Sequence, residues 1–259
     1  MATVDMVSAP ASVRTERLRS RFFSRSALLM LAMVLVSFPA TYFAPVLTGS
    51  GRFAPIYHIH GVAFFAWILL YAWQTHLVAI GRTARHREYG LAGIALSALM
   101  VPLGFALAIA AIERRLANGD AHPFDNTLYN LIDITSFAVL MTASIASVTR
   151  HIDWHRRFTF AAAVVLVGPA ISRWFYATPM PAFPPFTDFA PNLIADLLLV
   201  ALAVHDRRVL GRLHPVTLGS LIVMVPIHLL TPFAVSSEWW RDIAPRLLML
   251  TKITPGMAG

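Results

Sequence analysis

Cysteine is absent from all 259 residues. That excludes disulfides, thiolate zinc sites, iron–sulfur clusters and covalent c-type haem attachment. A metal or haem here has to be held by His, Asp, Glu, Met or backbone. Charge is scarce as well: Asp, Glu, Lys and Arg together make up 13% of the chain, against 57% hydrophobic residues and a mean hydropathy of +0.64. A soluble domain of this size needs far more polar surface. Lysine is almost missing, with Lys252 as its one occurrence, so no span carries the lysine that a retinal Schiff base requires. There is also no Gly-x-x-x-x-Gly-Lys phosphate loop and no His-Glu-x-x-His zinc helix. The clustered histidine boxes of membrane hydroxylases are absent, since His151-x-x-x-His155 stands alone.

What the chain does contain is long apolar runs. A hydrocarbon core about 30 Å thick takes about 20 helical residues to cross, and seven runs qualify: about 27–47, 55–80, 90–112, 128–148, 157–176, 191–205 and 216–235. The fold class expected is all-α, a polytopic bundle of seven transmembrane helices. Residues 1–26 read as a basic segment before it, and 236–259 as an interfacial tail with Trp239 and Trp240. The first apolar run is longer than a signal-peptide core, which favours an uncleaved first helix. The pI of about 10.7 does not point to nucleic acid, because the arginines flank the apolar runs. Arg14 to Arg25, Arg82 to Arg87, Arg150 to Arg157 and Arg207 to Arg212 all fall on one side of a seven-span bundle. The positive-inside rule makes that side cytoplasmic, with the C-terminus outside.

The three basic connections, 81–90, 149–158 and 205–214, each end with a histidine near the start of the next span. Basic turns resemble one another for topological reasons alone, and headgroup contact accounts for their histidines. In the third span Gly93, Ser97, Gly104, Ala108 and Ala111 form a stripe of small residues suited to close helix packing. Pro102, Pro169 and Pro226 lie inside spans and are expected to kink them. The segment Ala177–Pro191, rich in Pro and Phe, reads as a stiff outer loop on the membrane surface or over the bundle mouth.

Polar residues can be placed by depth at 1.5 Å per residue. His60, Asp133 and Asp196 each fall about 7–8 Å below the outer boundary, Arg173 lies within about one turn of it, and His228 about 10–12 Å below it. Ionisable groups inside a bilayer are expensive and face the protein interior or a cavity. Asn126, Asn130 and Asp133 share one helical face, as do Asn192 and Asp196. On the second span His60, Trp67, Tyr71 and Gln74 share a face, with His58 and His76 opposite. Asp133, Arg173 and Asp196 are therefore the expected catalytic or proton-transfer groups, with His60 and His228 as cofactor ligands.

Two His and two Asp suit a divalent metal, with His60, Asp133, Asp196 and His228 as ligands. A single b-type haem between His60 and His228 is the other cofactor reading. In either case the protein is a membrane-embedded, redox or metal-assisted enzyme acting on a small hydrophobic or anionic substrate. Two alternatives remain open. One is a proton-coupled transporter using the same residues, and the other is a non-catalytic structural or assembly protein in which Arg173 neutralises Asp133 or Asp196. Membrane lipids and further copies of the chain are the expected partners. The run Trp67…Gln74…His86-Arg87-x-x-Gly90 resembles a pattern in uncharacterised bacterial multi-pass membrane proteins. It implies a bacterial inner-membrane setting and no particular activity.

Overall fold

The apolar runs end where glycine and proline stand. A computed structural model describes residues 11–177 and 184–252, with side chains placed for 20–175 and 187–249. Among these residues the chain is helical, without strands. The helices are α1 (Ala11–Ser37), α2 (Ala44–Thr48), α3 (Pro55–Ala79), α4 (Thr83–Ala117), α5 (Asp125–Ser147), α6 (Ile152–Ala177), α7 (Pro184–Leu210), α8 (Pro215–Val235) and α9 (Glu238–Lys252). Pro55 and Pro215 open α3 and α8 at a position where the missing N–H costs nothing. Gly81 (φ 77°) closes α3 in the left-handed conformation. There the Arg82 N–H reaches Leu77 O at 2.8 Å and the Gly81 N–H reaches Val78 O at 3.1 Å, capping two otherwise orphaned carbonyls.

Seven helical segments are long and apolar enough to cross a membrane: Ser20–Thr48, Pro55–Ala79, Thr83–Ala117, Asp125–Ser147, Ile152–Phe175, Thr187–Leu210 and Pro215–Val235. The protein is a multi-pass membrane protein. Its first span is continuous from α1 to α2 through one π-helical turn, Pro39–Phe43. Pro39 lacks the N–H that would continue the α ladder, and the chain bridges the gap with Phe43 N–H to Phe38 O at 3.1 Å. Phe23 is buried in the bundle beside Ala27, Met30 and Val34, so α1 packs inward before residue 27.

The connections 80–82, 148–151 and 211–214 lie at one end of the bundle, here called the arginine-rich end. The connections 49–54 and 118–124 lie at the opposite end. Helix α6 is the axis: every residue from Phe160 to Val167 is buried, so protein surrounds it over two turns. It packs on α5 and α7, then α1 and α8, while α3 bridges α1 and α4. On α4 the small-residue stripe sits against its neighbours. A Cβ on Gly104 would stand 2.8 Å from Ile134 Cγ1, so any larger residue has to push the Ile134 side chain aside where α4 approaches α5. Ser97 donates to Gly93 O at 2.7 Å and accepts the Trp67 indole N–H at 2.7 Å, tying α4 to α3.

Three expectations change here. The sixth span is not a short one beginning at residue 191. Helix α7 starts at Pro184 and runs through Pro191, so much of the expected loop is helix, while residues 178–183 lie outside the described residues. The tail is not merely interfacial: Trp240 is buried and its indole N–H donates to Phe124 O at 3.2 Å, docking α9 at the end of α5. Arg157 is no loop charge. It is buried at the start of α6 and forms a bidentate ion pair with buried Asp206 of α7.

Among the connections, 211–214 is the one that should respond to pH. His214 caps α8, its Nδ1 accepting the Val216 N–H at 3.2 Å. That requires an unprotonated nitrogen. Burial first, then the positive charge of Arg157, holds its pKa below the ordinary value. A folded pKa below the unfolded one means stability present above about pH 6.5 and lost as pH falls below it. His214→Asn, which caps without titrating, should abolish that acid-side loss of about 1 kcal/mol. Melting temperatures of both proteins between pH 5 and 8 would show it, and parallel curves would count against it.

Candidate functional site

The polar site lies in the half of the bundle away from the arginine-rich end, between α5, α6 and α7. On α5 the 3.6-residue period brings Asn126, Asn130 and Asp133 to one face. All three line a cavity of about 210 Å³. Helix α6 contributes Gly168, Pro169, Ser172 and Arg173, and α7 contributes Thr187, Asp188, Pro191 and Asn192. The closeness of α6 to α7 depends on Gly168, where a Cβ would lie 2.1 Å from Asn192 Oδ1. Pro169 and Pro191 sit on the same wall, so two helices each lose a backbone donor beside the cavity. Arg115, from the end of α4, also lines the cavity and donates from Nη1 to Pro123 O at 3.3 Å.

Behind the cavity lies a buried carboxylate–imidazole pair. His228 Nδ1 is 2.8 Å from Asp196 Oδ2, and each side chain is 5% exposed. Asp196 Oδ1 has no hydrogen-bond partner among the described residues. Asp133 is close enough to His228 to interact with it electrostatically. Asp133 is thus on the cavity wall, with the hydrogen-bonded His228–Asp196 pair within its electrostatic reach. An imidazole held by a carboxylate can accept and release a proton, because its nitrogens exchange donor and acceptor roles.

His60 belongs to another neighbourhood. It is half-buried, stacks on Phe64 with ring centroids 6.2 Å apart, and interacts electrostatically with Arg173. The Arg173 guanidinium lies 4.3 Å from the centre of the Phe38 ring, a cation–π contact. Arg173 thus stands between His60 and the cavity. Of the five residues expected at one depth, Asp133 and Arg173 both line the cavity, His60 neighbours Arg173, and the His228–Asp196 pair neighbours Asp133. Asp196 pairs with His228 rather than with Arg173.

This arrangement bears on the cofactor readings. Among the described residues no three His, Asp or Glu side chains gather closely enough to hold a metal ion. His60, Asp133, Asp196 and His228 therefore do not make the ligand set expected from depth alone. His60 and His228, the proposed haem ligands, have different neighbours, Arg173 for one and Asp133 with Asp196 for the other. Of the opposite face of α3, His76 is exposed, whereas His58 accepts or donates a hydrogen bond with Tyr42 at 2.5 Å. The cavity amides Asn126, Asn130 and Asn192 were visible as face-sharing residues in the sequence. Asp188 and Arg115 were not, because both stood in segments read as loop or loop edge. Comparisons with protein families, characterised proteins and solved structures find nothing that matches this chain.

Proposed function

We propose that the protein is a proton-coupled carrier of a small organic anion. The observation that carries this reading is that Asp133 lines a polar cavity with the buried His228–Asp196 pair within its electrostatic reach. Arg173 and Arg115 supply the positive charge to attract a carboxylate, and three asparagine amides supply uncharged donors and acceptors. Asp133 takes or releases the proton that accompanies the anion. Proline-interrupted helices at the wall are a recurrent feature of transporter sites. The cavity volume is several times the roughly 30 Å³ that one water occupies. We place the arginine-rich end in the cytoplasm of a bacterial inner membrane, so that the cavity opens outward.

An acid–base enzyme is the second reading, and the same Asp196–His228 pair favours it, since a carboxylate-held imidazole is a competent general base. The two are separated by one experiment. Protein reconstituted in liposomes containing a pH-sensitive dye is challenged with acetate, lactate and pyruvate under an inward proton gradient. Protein-dependent lumenal acidification beyond that of protein-free vesicles is the expected result, and Asp133→Asn should reduce it by about a hundredfold. Consumption of the anion without acidification would replace the carrier by an enzyme. Acidification unchanged in Asp133→Asn would overturn the role of Asp133.

A further inference from the structure

The arginine-rich half holds a second set of polar side chains that the carrier site does not use. Tyr71 Oη, both amide atoms of Gln74 and His86 Nδ1 are buried without a hydrogen-bond partner among the described residues. Tyr71 is 6% and Gln74 9% exposed. An orphaned buried polar group is destabilising, so several at one place call for something that satisfies them. All three side chains border two adjoining cavities of about 260 and 240 Å³. Beyond them the walls are largely apolar: Phe23, Val78 and Ile152 in the first, and Leu70, Met141 and Ile145 in the second. A few convergent polar groups in an apolar pocket describe a ligand site better than a water pocket.

Two features give the ligand its chemistry. The rim of the second cavity includes Leu91, 73% exposed, and Val148, 39% exposed, so it opens sideways between α4 and α5 on the apolar surface of the bundle. The ligand therefore has an apolar tail in the lipid phase. At the polar end, Arg87 lines both cavities and Arg156 the first, and both act electrostatically on His86. His155 lies on both cavities too, its Nδ1 held by Ser144 Oγ at 2.8 Å and Ser144 O at 3.1 Å. The head is thus an oxygen-bearing group that accepts from Gln74 Nε2 and Tyr71 Oη and shares a proton with an imidazole. A carboxyl group does this in both states. Protonated, it donates to His86; ionised, it accepts from Tyr71 and Gln74 beside two guanidinium groups.

We propose that this double cavity binds a long-chain fatty acid, its carboxyl between Tyr71, Gln74 and His86 and its chain leaving between α4 and α5. Trp67, Gln74, His86, Arg87 and Gly90, the run singled out in the sequence, all line the second cavity. The site lies at the other end of the bundle from the Asp133 cavity and does not depend on the carrier reading.

The test is the melting temperature of the protein in nanodiscs of saturated phosphatidylcholine, titrated with oleate, oleyl alcohol or decylubiquinone. Oleate should raise it by several degrees and the other two should not. Gln74→Leu should weaken the apparent oleate affinity about tenfold while leaving the ligand-free protein at least as stable, because it removes an orphaned amide. Leu91→Trp, at an exposed rim position, should block the response with the ligand-free melting temperature unchanged. Equal stabilisation by oleyl alcohol would overturn recognition of the carboxyl. Stabilisation by decylubiquinone alone would replace the ligand class, and a full oleate response in Leu91→Trp would overturn the location.

Discussion

Replacing Arg157 by alanine should cost about 3–5 kcal/mol of stability, the largest loss expected from any single substitution outside the apolar core. Its guanidinium is 1% exposed and grips both Asp206 oxygens, Nε to Oδ2 at 3.2 Å and Nη2 to Oδ1. Nη1 donates to Asp153 O at 3.0 Å, and Thr217 Oγ1 donates to Asp206 Oδ2 at 2.6 Å. One arginine therefore ties α6 to α7 and, through Asp206, to α8. Removing it leaves a fully buried carboxylate with only the Thr217 hydroxyl and the His214 backbone as hydrogen-bond partners, in a setting where water cannot replace the lost charge. Asp206→Asn should behave similarly, leaving the guanidinium buried with a neutral partner. Arg157→Met together with Asp206→Leu should recover much of the loss, because two charges and their desolvation disappear together. Melting temperatures in detergent for the four proteins make the comparison. A single Arg157→Ala that melts with the wild type would show that the pair contributes little.

That ion pair also marks how far the sequence could be read. Seven spans followed from runs of apolar residues, whose length is dictated by bilayer thickness, and the structure has seven helices in those places. The ends of the spans did not follow. Hydropathy falls where charged residues begin, and Arg157 and Asp206 are charged yet face inward. The sequence therefore placed the fifth span at residue 157 and ended the sixth at 205, although the helices continue to Ile152 and Leu210. A charge one turn inside a helix end and a charge in a loop look alike in composition; burial separates them, and burial depends on the neighbouring helix.

The site shows the same division. Periodicity put Asn126, Asn130 and Asp133 on one face and Asn192 beside Asp196, and these relations hold because they lie within single helices. Depth along the bundle axis was an expectation from the 1.5 Å rise per residue. Position around the axis was not legible. His60 and His228 both belong to the outer half by depth, yet His60 neighbours Arg173 whereas His228 neighbours Asp133 and Asp196. Face and expected depth were enough to nominate the residues but not to assemble a ligand set. The histidines of the basic connections show the reverse. Dismissed as headgroup contacts, His86 and His155 border common cavities, because α4 and α6 both begin at the arginine-rich end.

Asp196→Asn should remove proton-coupled flux by about a hundredfold while changing stability by no more than about 1 kcal/mol. The amide is nearly isosteric with the carboxylate, and its oxygen can still accept from His228 Nδ1, so packing and the 2.8 Å contact persist. What disappears is the buried base that draws a proton through His228. Exchange of labelled anion against unlabelled anion, which moves no net proton, should survive in this variant. His228→Ala is different in kind. It removes the only hydrogen-bond partner that Asp196 has among the described residues and leaves its carboxylate 3% exposed in the bundle, so stability and flux should fall together. A relay therefore separates the two variants: Asp196→Asn folds and exchanges but does not couple, whereas His228→Ala is damaged throughout. Were the pair only a structural clasp, Asp196→Asn would retain coupled flux along with its stability, and the proton path would have to end at Asp133.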